Sequence, residues 1–308
     1  MRKGLISTAA IGALLLTLPA SAATKMTQLY TAGANNLGGY VAKDQGFFEK
    51  HGLDVDLIPT PNGSLISAAL VADTAQVGTL TPTILLQADE QGLDLVAIAG
   101  TTNYPTNSPA AIMARTDSGI KTAKDLIGKK VGVPGLGGAL DVLARNWVKV
   151  SGGDYHKVTW IEVQFPQMPD GLKTGLVDAV VTAEPFNTRI TTIDAGYKIA
   201  EAEGPAGTMT LIYTATRAWT KKNPEALKSF RAALDDAAAY IKNSANADSV
   251  KASIAKYTKL PPAAMASIVI PDTVDPKVSG KGLAFWVDVA RDQGMIKGNP
   301  DPNSLVAP

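Results

Sequence analysis

The chain has 308 residues, 45% of them hydrophobic and 19% charged, long and apolar enough to fill two cores. It has no cysteine, which excludes a disulfide framework, a thiolate metal site and a cysteine nucleophile. Its 29 basic and 28 acidic residues nearly cancel and no basic patch with interleaved aromatics occurs, which argues against nucleic acid as a partner.

The first element is a targeting segment. Arg2 and Lys3 are positive, Gly4 to Leu18 is apolar apart from Ser7, Thr8 and Thr17, and Pro19 leads to Ala20-Ser21-Ala22. This order predicts a secretory signal peptide over residues 1–22, cleaved after Ala22. The apolar run is shorter than the ~20 residues a spanning helix needs. No cysteine follows it to take a lipid anchor. The expected location is the periplasm of a Gram-negative bacterium. Loss of Arg2 and Lys3 leaves 27 basic against 28 acidic residues, a net charge near −1.

Strands and helices then alternate in the α/β manner. Thr27 to Tyr30 reads as a short strand and Gly39 to His51 as a helix stopped by Gly52. Leu53 to Ile58 alternates apolar and acidic residues, as a half-buried strand does. Ser64 is the expected N-cap of a helix over Leu65 to Ala72. Gln76 to Leu80 is a strand and Thr83 to Gln91 a helix ending at Gly92. Leu93 to Ala99 and Ala110 to Ala114 are strands by their apolar runs.

The alternation begins again at Thr122 to Leu126, a short helix, and Lys130 to Val133, a strand. Ala139 to Val150 is a helix, Val158 to Val163 a strand, and Met168 to Thr174 a helical turn. Val177 to Thr182 is a strand, Arg189 to Asp194 is helical, and Gly196 to Ala200 leads into the last strand of this half. The halves match at an offset of roughly one hundred residues. Leu37-Gly38-Gly39 corresponds to Leu136-Gly137-Gly138, and Thr81-Pro82 to Glu184-Pro185. Their shared order suggests two similarly built lobes.

Thr208 to Thr216 reads as a strand returning from the second lobe. Ala226 to Ile241 is a helix with Leu227, Phe230, Leu234 and Ala238 on one face. Ser249 to Ile296 is mostly helical and reads as scaffold on the first lobe, with Phe285, Trp286, Val289 and Met295 as core. Crossings near Ala110–Arg115 and Leu211–Thr214 would join the lobes as a hinge. The cleft between two hinged bodies is a usual place for a small ligand.

Four stretches carry a resemblance to a known family. GYVAKDQGFFEKHGLDVDLI (Gly39 to Ile58) resembles the segment after strand one in periplasmic solute-binding proteins of the nitrate, sulfonate, taurine and thiamine-pyrimidine-precursor type. GIKTAKDLIGKKVGVPG (Gly119 to Gly135) is similar to that family's start of lobe two. LKTGLVDAVVTAEPF (Leu172 to Phe186) is similar to its strand ending in an acidic residue and proline, and KKNPEALKSFRAALDDAAAYI (Lys221 to Ile241) to its long lobe-one helix. The resemblance implies an α/β fold of the type II periplasmic binding protein kind, two α/β lobes joined by a two-strand hinge. Residues 23–112 and 213–308 would form lobe 1 and residues 113–212 lobe 2. It also implies a small-molecule ligand, the membrane permease of an ABC importer as partner, and a protein acting as a monomer.

The glycine-rich stretch Gly135 to Ala139 lacks the last glycine of a strict G-x-G-x-x-G and lies far from the first strand, so a nucleotide is not expected. Two readings stand. Gly135, Gly137, Gly138 and Ala139 either present N–H groups to a carboxylate or sulfonate at a helix start, or form a plain tight turn. Asp141 would repel an anion there. In lobe 1, Asn35, Asn36 and Leu37 follow the first strand and Asn62 the second, as ligand contacts or as turn residues. Thr79 and Thr81 lie at a strand end, where open α/β sheets meet ligands. Glu184 is at the family position that lines the cleft, or pairs with Arg189. Tyr104, Phe165, Phe186 and Tyr213 are candidate stacking walls or core aromatics. Arg115 either pairs with an acidic group of the ligand or, as the commoner fate, forms a hinge salt bridge.

An enzyme is the rival class. His51 and His156 are the only histidines and neither has metal-like spacing, so no metal and no cofactor are expected. G-x-S-x-G and H-E-x-x-H are absent. Same-fold pyrimidine-precursor synthases that resemble this family rely on a cysteine-rich motif, which this chain lacks. The expected function is capture of a small carboxylate or sulfonate; the alternative is a neutral or cationic heterocycle such as a pyrimidine precursor.

Overall fold

A computed structural model describes residues 23–103, 110–184, 186–202, 204–205, 207–259 and 268–308. Residues 1–22, where the signal peptide is expected, and Tyr104 lie outside the described residues. The first half runs β1 (Thr24–Tyr30), α1 (Leu37–Asp44), α2 (Phe47–Lys50), β2 (Leu53–Pro59), α3 (Gly63–Val71), β3 (Val77–Leu80), α4 (Pro82–Glu90) and β4 (Leu95–Gly100). The second runs β5 (Ala110–Arg115), β6 (Lys130–Val133), α5 (Ala139–Val150), β7 (Thr159–Glu162), α6 (Met168–Lys173), β8 (Ala179–Ala183), α7 (Phe186–Thr192) and β9 (Gly196–Glu201). Then come β10 (Ile212–Thr216), α8 (Arg217–Lys222), α9 (Pro224–Lys242), α10 (Ala247–Thr258) and α11 (Gly280–Asp292).

Two five-stranded mixed sheets result, ordered β2-β1-β3-β10-β4 and β7-β6-β8-β5-β9. β1 is parallel to β2 and β3, and β10 is antiparallel to β3 and β4. β6 is parallel to β7 and β8, and β5 is antiparallel to β8 and β9. The sheets therefore share one topology, with the crossing strands β10 and β5 in the same place. The resemblance between the sequence halves reflects this duplication, and the two-lobed α/β architecture is borne out.

Several elements differ from the sequence reading for local reasons. The helix expected over residues 39–51 starts at Leu37 and breaks at Gly46, which is left-handed at φ 71° and turns the chain into α2. Asn62, not Ser64, caps α3: its Oδ1 accepts from Leu65 N at 3.1 Å. β10 starts only at Ile212, because residues 209–211 are taken up by pairing with residues 101–103. There Thr101 Oγ1 donates to Leu211 O at 3.0 Å, and the Thr102 and Thr210 hydroxyls meet at 2.6 Å. Residues 273–276 add a third strand-like segment beside residues 100–103 through Gly100 N to Pro276 O and Asn103 N to Thr273 O.

The strand period distributes the core. Met26, Gln28 and Tyr30 of β1 face α1 and α9, where Tyr40, Phe48, Tyr213, Phe230 and Leu234 are buried. The opposite face holds Leu80, Leu85, Leu86, Ile212, Leu283 and Trp286. Ala139, Val142 and Leu143 of α5 join this second cluster, so the two bodies share apolar surface. Val142 O also accepts from Gln293 Nε2 at 2.8 Å, and Lys149 pairs with Asp292.

Candidate functional site

In open sheets of this type the strand tips and the helix starts that follow them are the places that meet ligand. After β1, Asn36 Nδ2 donates to Thr31 O at 2.7 Å and Tyr40 Oη donates to Gly33 O at 3.2 Å, which ties down residues 31–36. Asn36 and Leu37 are buried and Asn35 is partly exposed. Of these three, Asn35 is the one left partly exposed.

Tyr213 is fully buried, so it is not a wall open to ligand. Its ring lies edge-on to Phe230 at 5.4 Å, and its hydroxyl accepts from Gly39 N at 2.8 Å. Burial pushes its phenol well above the ordinary range, so it remains a neutral cap on the first turn of α1. Thr79 pairs with Tyr213 across the sheet and is also buried. Sequence reading missed Gln28, which is buried with both carboxamide atoms unpaired and lies against Gly39. The signal was there: a glutamine on the apolar phase of β1, between Met26 and Tyr30. Tyr213→Phe leaves Gly39 N–H unpaired inside the core. The expected loss is about 1–3 kcal/mol, read by urea unfolding.

Thr81 and a second missed residue, Thr83, connect the two bodies. Thr81 Oγ1 accepts from Ile84 N at 3.3 Å and lies 2.9 Å from Thr83 Oγ1. Thr83 Oγ1 donates to Gly137 O at 2.9 Å. Each hydroxyl has one proton, so Thr81 donates to Thr83 and Thr83 donates to Gly137. This directed chain runs from the start of α4 to the glycine turn before α5.

In that turn Gly138 N donates to Gly135 O at 3.1 Å, and Gly137 N donates to Asp141 Oδ2 at 2.8 Å. Asp141 is 2% exposed, and its Oδ1 accepts from Arg145 Nε at 2.6 Å. The Arg145 guanidinium lies over Trp160 at 4.9 Å. Ala139 is buried against the first body. In this stretch the N–H groups of Gly137 and Gly138 are held by the chain itself, and α5 has no side-chain cap.

Phe165 and Phe186, from the segments after β7 and β8, are brought together as a stacked pair with centroids 5.6 Å apart and planes 7° from parallel. Both are partly buried. Glu184 Oε2 accepts from Thr188 Oγ1 at 2.9 Å and from Thr188 N at 3.3 Å, so it caps α7. The alternative pairing with Arg189 is not made: Arg189 reaches Asp170 at 3.7 Å. Arg115 pairs with Asp117 and Asp178, the salt bridging expected beside a hinge. Asn62 serves α3 as its cap and is exposed.

Two open cavities, of about 620 and 580 Å³, lie along α9 and contain none of the candidate residues. Among the described residues no group of three His, Asp or Glu side chains could hold a metal ion. Among the same residues no helix is long and apolar enough to cross a membrane.

Residues 34–247 match the profile of NMT1/THI5-like proteins. A putative thiamine biosynthesis protein of Haemophilus influenzae is 31% identical over 55% of this chain and 53% of its own length. The formylaminopyrimidine-binding protein of Halalkalibacterium halodurans is 29% identical over 46% of this chain and 42% of its own. The chain thus spans about half the length of these relatives or less. The periplasmic aliphatic sulphonate binding protein SsuA of Escherichia coli superposes with a TM-score of 0.76 at 19% identity, covering 92% of this chain and 97% of that one. The fold also houses chemistry: the desulfurization enzyme DSZB superposes with a TM-score of 0.67 at 14% identity, covering 92% of this chain and 96% of that one.

Proposed function

The chain belongs to the NMT1/THI5-like family, and from that premise we propose that it is the periplasmic solute-binding component of an ABC importer. The observation that carries this reading is the duplicated sheet whose helix starts meet through the Thr83–Gly137 bond. Residues 23–112 and 213–308 form one lobe and residues 113–212 the other. A solute held by one lobe makes further contacts with the second, and that difference in affinity moves the population toward the closed form. The closed form then docks on a membrane permease. The protein binds without making or breaking bonds. Support comes from the kind of groups at the junction: hydroxyls, amides and turn backbone, with the carboxylates of Asp141 and Glu184 already engaged within the chain.

The solute is a small organic molecule. A carboxylate or sulfonate head is the first reading, in keeping with the sulphonate-binding protein that shares the fold. A planar heterocycle is the second, favoured by the parallel Phe165–Phe186 pair as a stacking platform and by the formylaminopyrimidine-binding relative. A thermal-shift panel of aliphatic sulfonates, carboxylates, nitrate and formylaminopyrimidines tests the proposal. A solute at a hundred times its dissociation constant stabilises by about 2.7 kcal/mol and raises Tm. No rise with any class would overturn the binding reading, and turnover of a hit would replace it with an enzyme. Export also predicts a mature N-terminus at Ala23, read by intact mass of protein from a periplasmic extract.

A further inference from the structure

The two sheets have four edge strands, β2, β4, β7 and β9. A free edge presents unpaired N–H and C=O groups to any other strand, and a charge or a proline in the edge strand discourages that pairing. β2 has Asp54, Asp56 and Pro59, β7 has Glu162, and β9 has Lys198 and Glu201. β4 reads Leu-Val-Ala-Ile-Ala-Gly, every residue buried, with neither charge nor proline. Of the four it is the edge whose composition most favours pairing with another strand.

We propose that the edge of β4 is a strand-pairing surface, covered by residues 305–308 of the same chain with Arg231 as their clasp, and taken by a second copy of the chain when that segment is released. The proposal stands apart from the solute reading.

Residues 305–308 lie beside β4 as a short sixth strand. Val306 bridges Ala97 in parallel register, and Ala307 N donates to Ala97 O at 2.9 Å. Leu305 is buried among Leu95, Ala97 and Trp286, which anchors the segment by its side chain. So short a pairing needs further ties, and Arg231 of α9 supplies them. A guanidinium has five N–H groups in a fixed planar fork. Arg231 Nε donates to Ile98 O at 2.7 Å, Nη1 to Pro308 O at 2.8 Å and Nη2 to Ala307 O at 3.0 Å. One side chain thus binds the segment to the strand that it covers. It also takes the carbonyls of Ala307 and Pro308, which would otherwise be acceptors for a further strand. Arg217 acts likewise where the segment begins, with Nε on Asp94 Oδ1 at 2.8 Å and Nη2 on Ser304 O at 2.9 Å. Without the segment, two copies related by a two-fold axis would meet β4 to β4 in antiparallel pairing, since the same patch then faces itself.

The test uses the chain from Ala23 onward at rising concentration, with mass read by light scattering and amide exchange read residue by residue. Arg231→Met keeps the apolar stem and removes all three donors. Ala307→Pro leaves Arg231 in place and removes the N–H that bonds Ala97 O. In dilute solution both are expected to exchange residues 95–99 at least about tenfold faster than wild type, because the bonds that hold the covering segment are lost. At high concentration both are expected to dimerise while wild type stays monomeric, and protection at residues 95–99 returns because β4 is paired again. Arg231→Lys keeps the charge and one point of attachment, so it folds with less disturbance and moves the same way by a smaller amount. Wild-type exchange at residues 95–99 in these variants, a monomer at every concentration, or a dimer in which that exchange stays fast would each overturn the proposal. No step reads solute binding, so a failed solute panel and a failed edge test are separate outcomes.

Discussion

Replacing Trp286 with alanine is expected to cost about 3–5 kcal/mol, the range for emptying a large aromatic site in a packed core. Trp286 is fully buried on α11, among Leu85, Leu86, Ile212 and Leu283. The same cluster takes in Ala139, Val142 and Leu143 of α5, so the void would open where the two bodies touch. The indole also has a directional role. Its Nε1 donates to Met209 O at 2.9 Å, at the start of the segment that returns from the second sheet to the first. Alanine removes the packing and leaves that carbonyl without this donor. Phenylalanine restores most of the volume but not the donor, so its cost is expected to be about 1–3 kcal/mol smaller than that of alanine. Urea unfolding of both variants reads these differences, and a change in m-value would show the lobes losing their joint unfolding.

Gly100→Ala is the second large effect, and it acts through backbone. A Cβ at residue 100 would lie 2.5 Å from Asp275 O and 2.7 Å from Lys277 O. Neither carbonyl is the loose end of a side chain, so the clash is relieved only by moving a chain segment. Gly100 N donates to Pro276 O at 2.9 Å, and the segment that would have to move is the third strand beside the hinge. The expected cost is about 3 kcal/mol, at the upper end for overpacking. It comes with faster hydrogen exchange at residues 100–103 and 273–276 and unchanged exchange at β6. A stability change without loss of protection at residues 273–276 would mean that this segment does not brace the hinge.

Much of the architecture was legible because it depends on local periodicity. The limits of β6 and α5 were read to the residue, since an apolar strand and an amphipathic helix with a glycine-rich start announce themselves. The duplication was visible in the Leu-Gly-Gly pairs because the same topology recurs. What escaped was set by distant partners. Residues 273–276 have no strand period, and their pairing is imposed by residues 100–103. Asn62 displaced Ser64 as a cap because α3 begins two residues earlier, at Gly63, a choice that propensity alone does not make. At the site, Tyr213 was open between a stacking wall and a core aromatic; every residue from Ile212 to Ala215 is buried and its hydroxyl serves α1. Asp141 was read as a charge that would repel an anion. Its bonds to Gly137 N and Arg145 Nε, which hold it inside the chain, are partners that no spacing rule shows.

The central claim is that two bodies close on a solute. With no native cysteine, the chain can take spin labels at Val71→Cys and Leu176→Cys, exposed positions on opposite lobes. The distance distribution between them is measured with and without a saturating amount of the panel solute that raises Tm most. The account predicts a broader, longer distribution without solute, and with it a narrowing toward the separation in the structure with Thr83 on Gly137. An identical distribution in both samples, with binding shown by calorimetry, would contradict it.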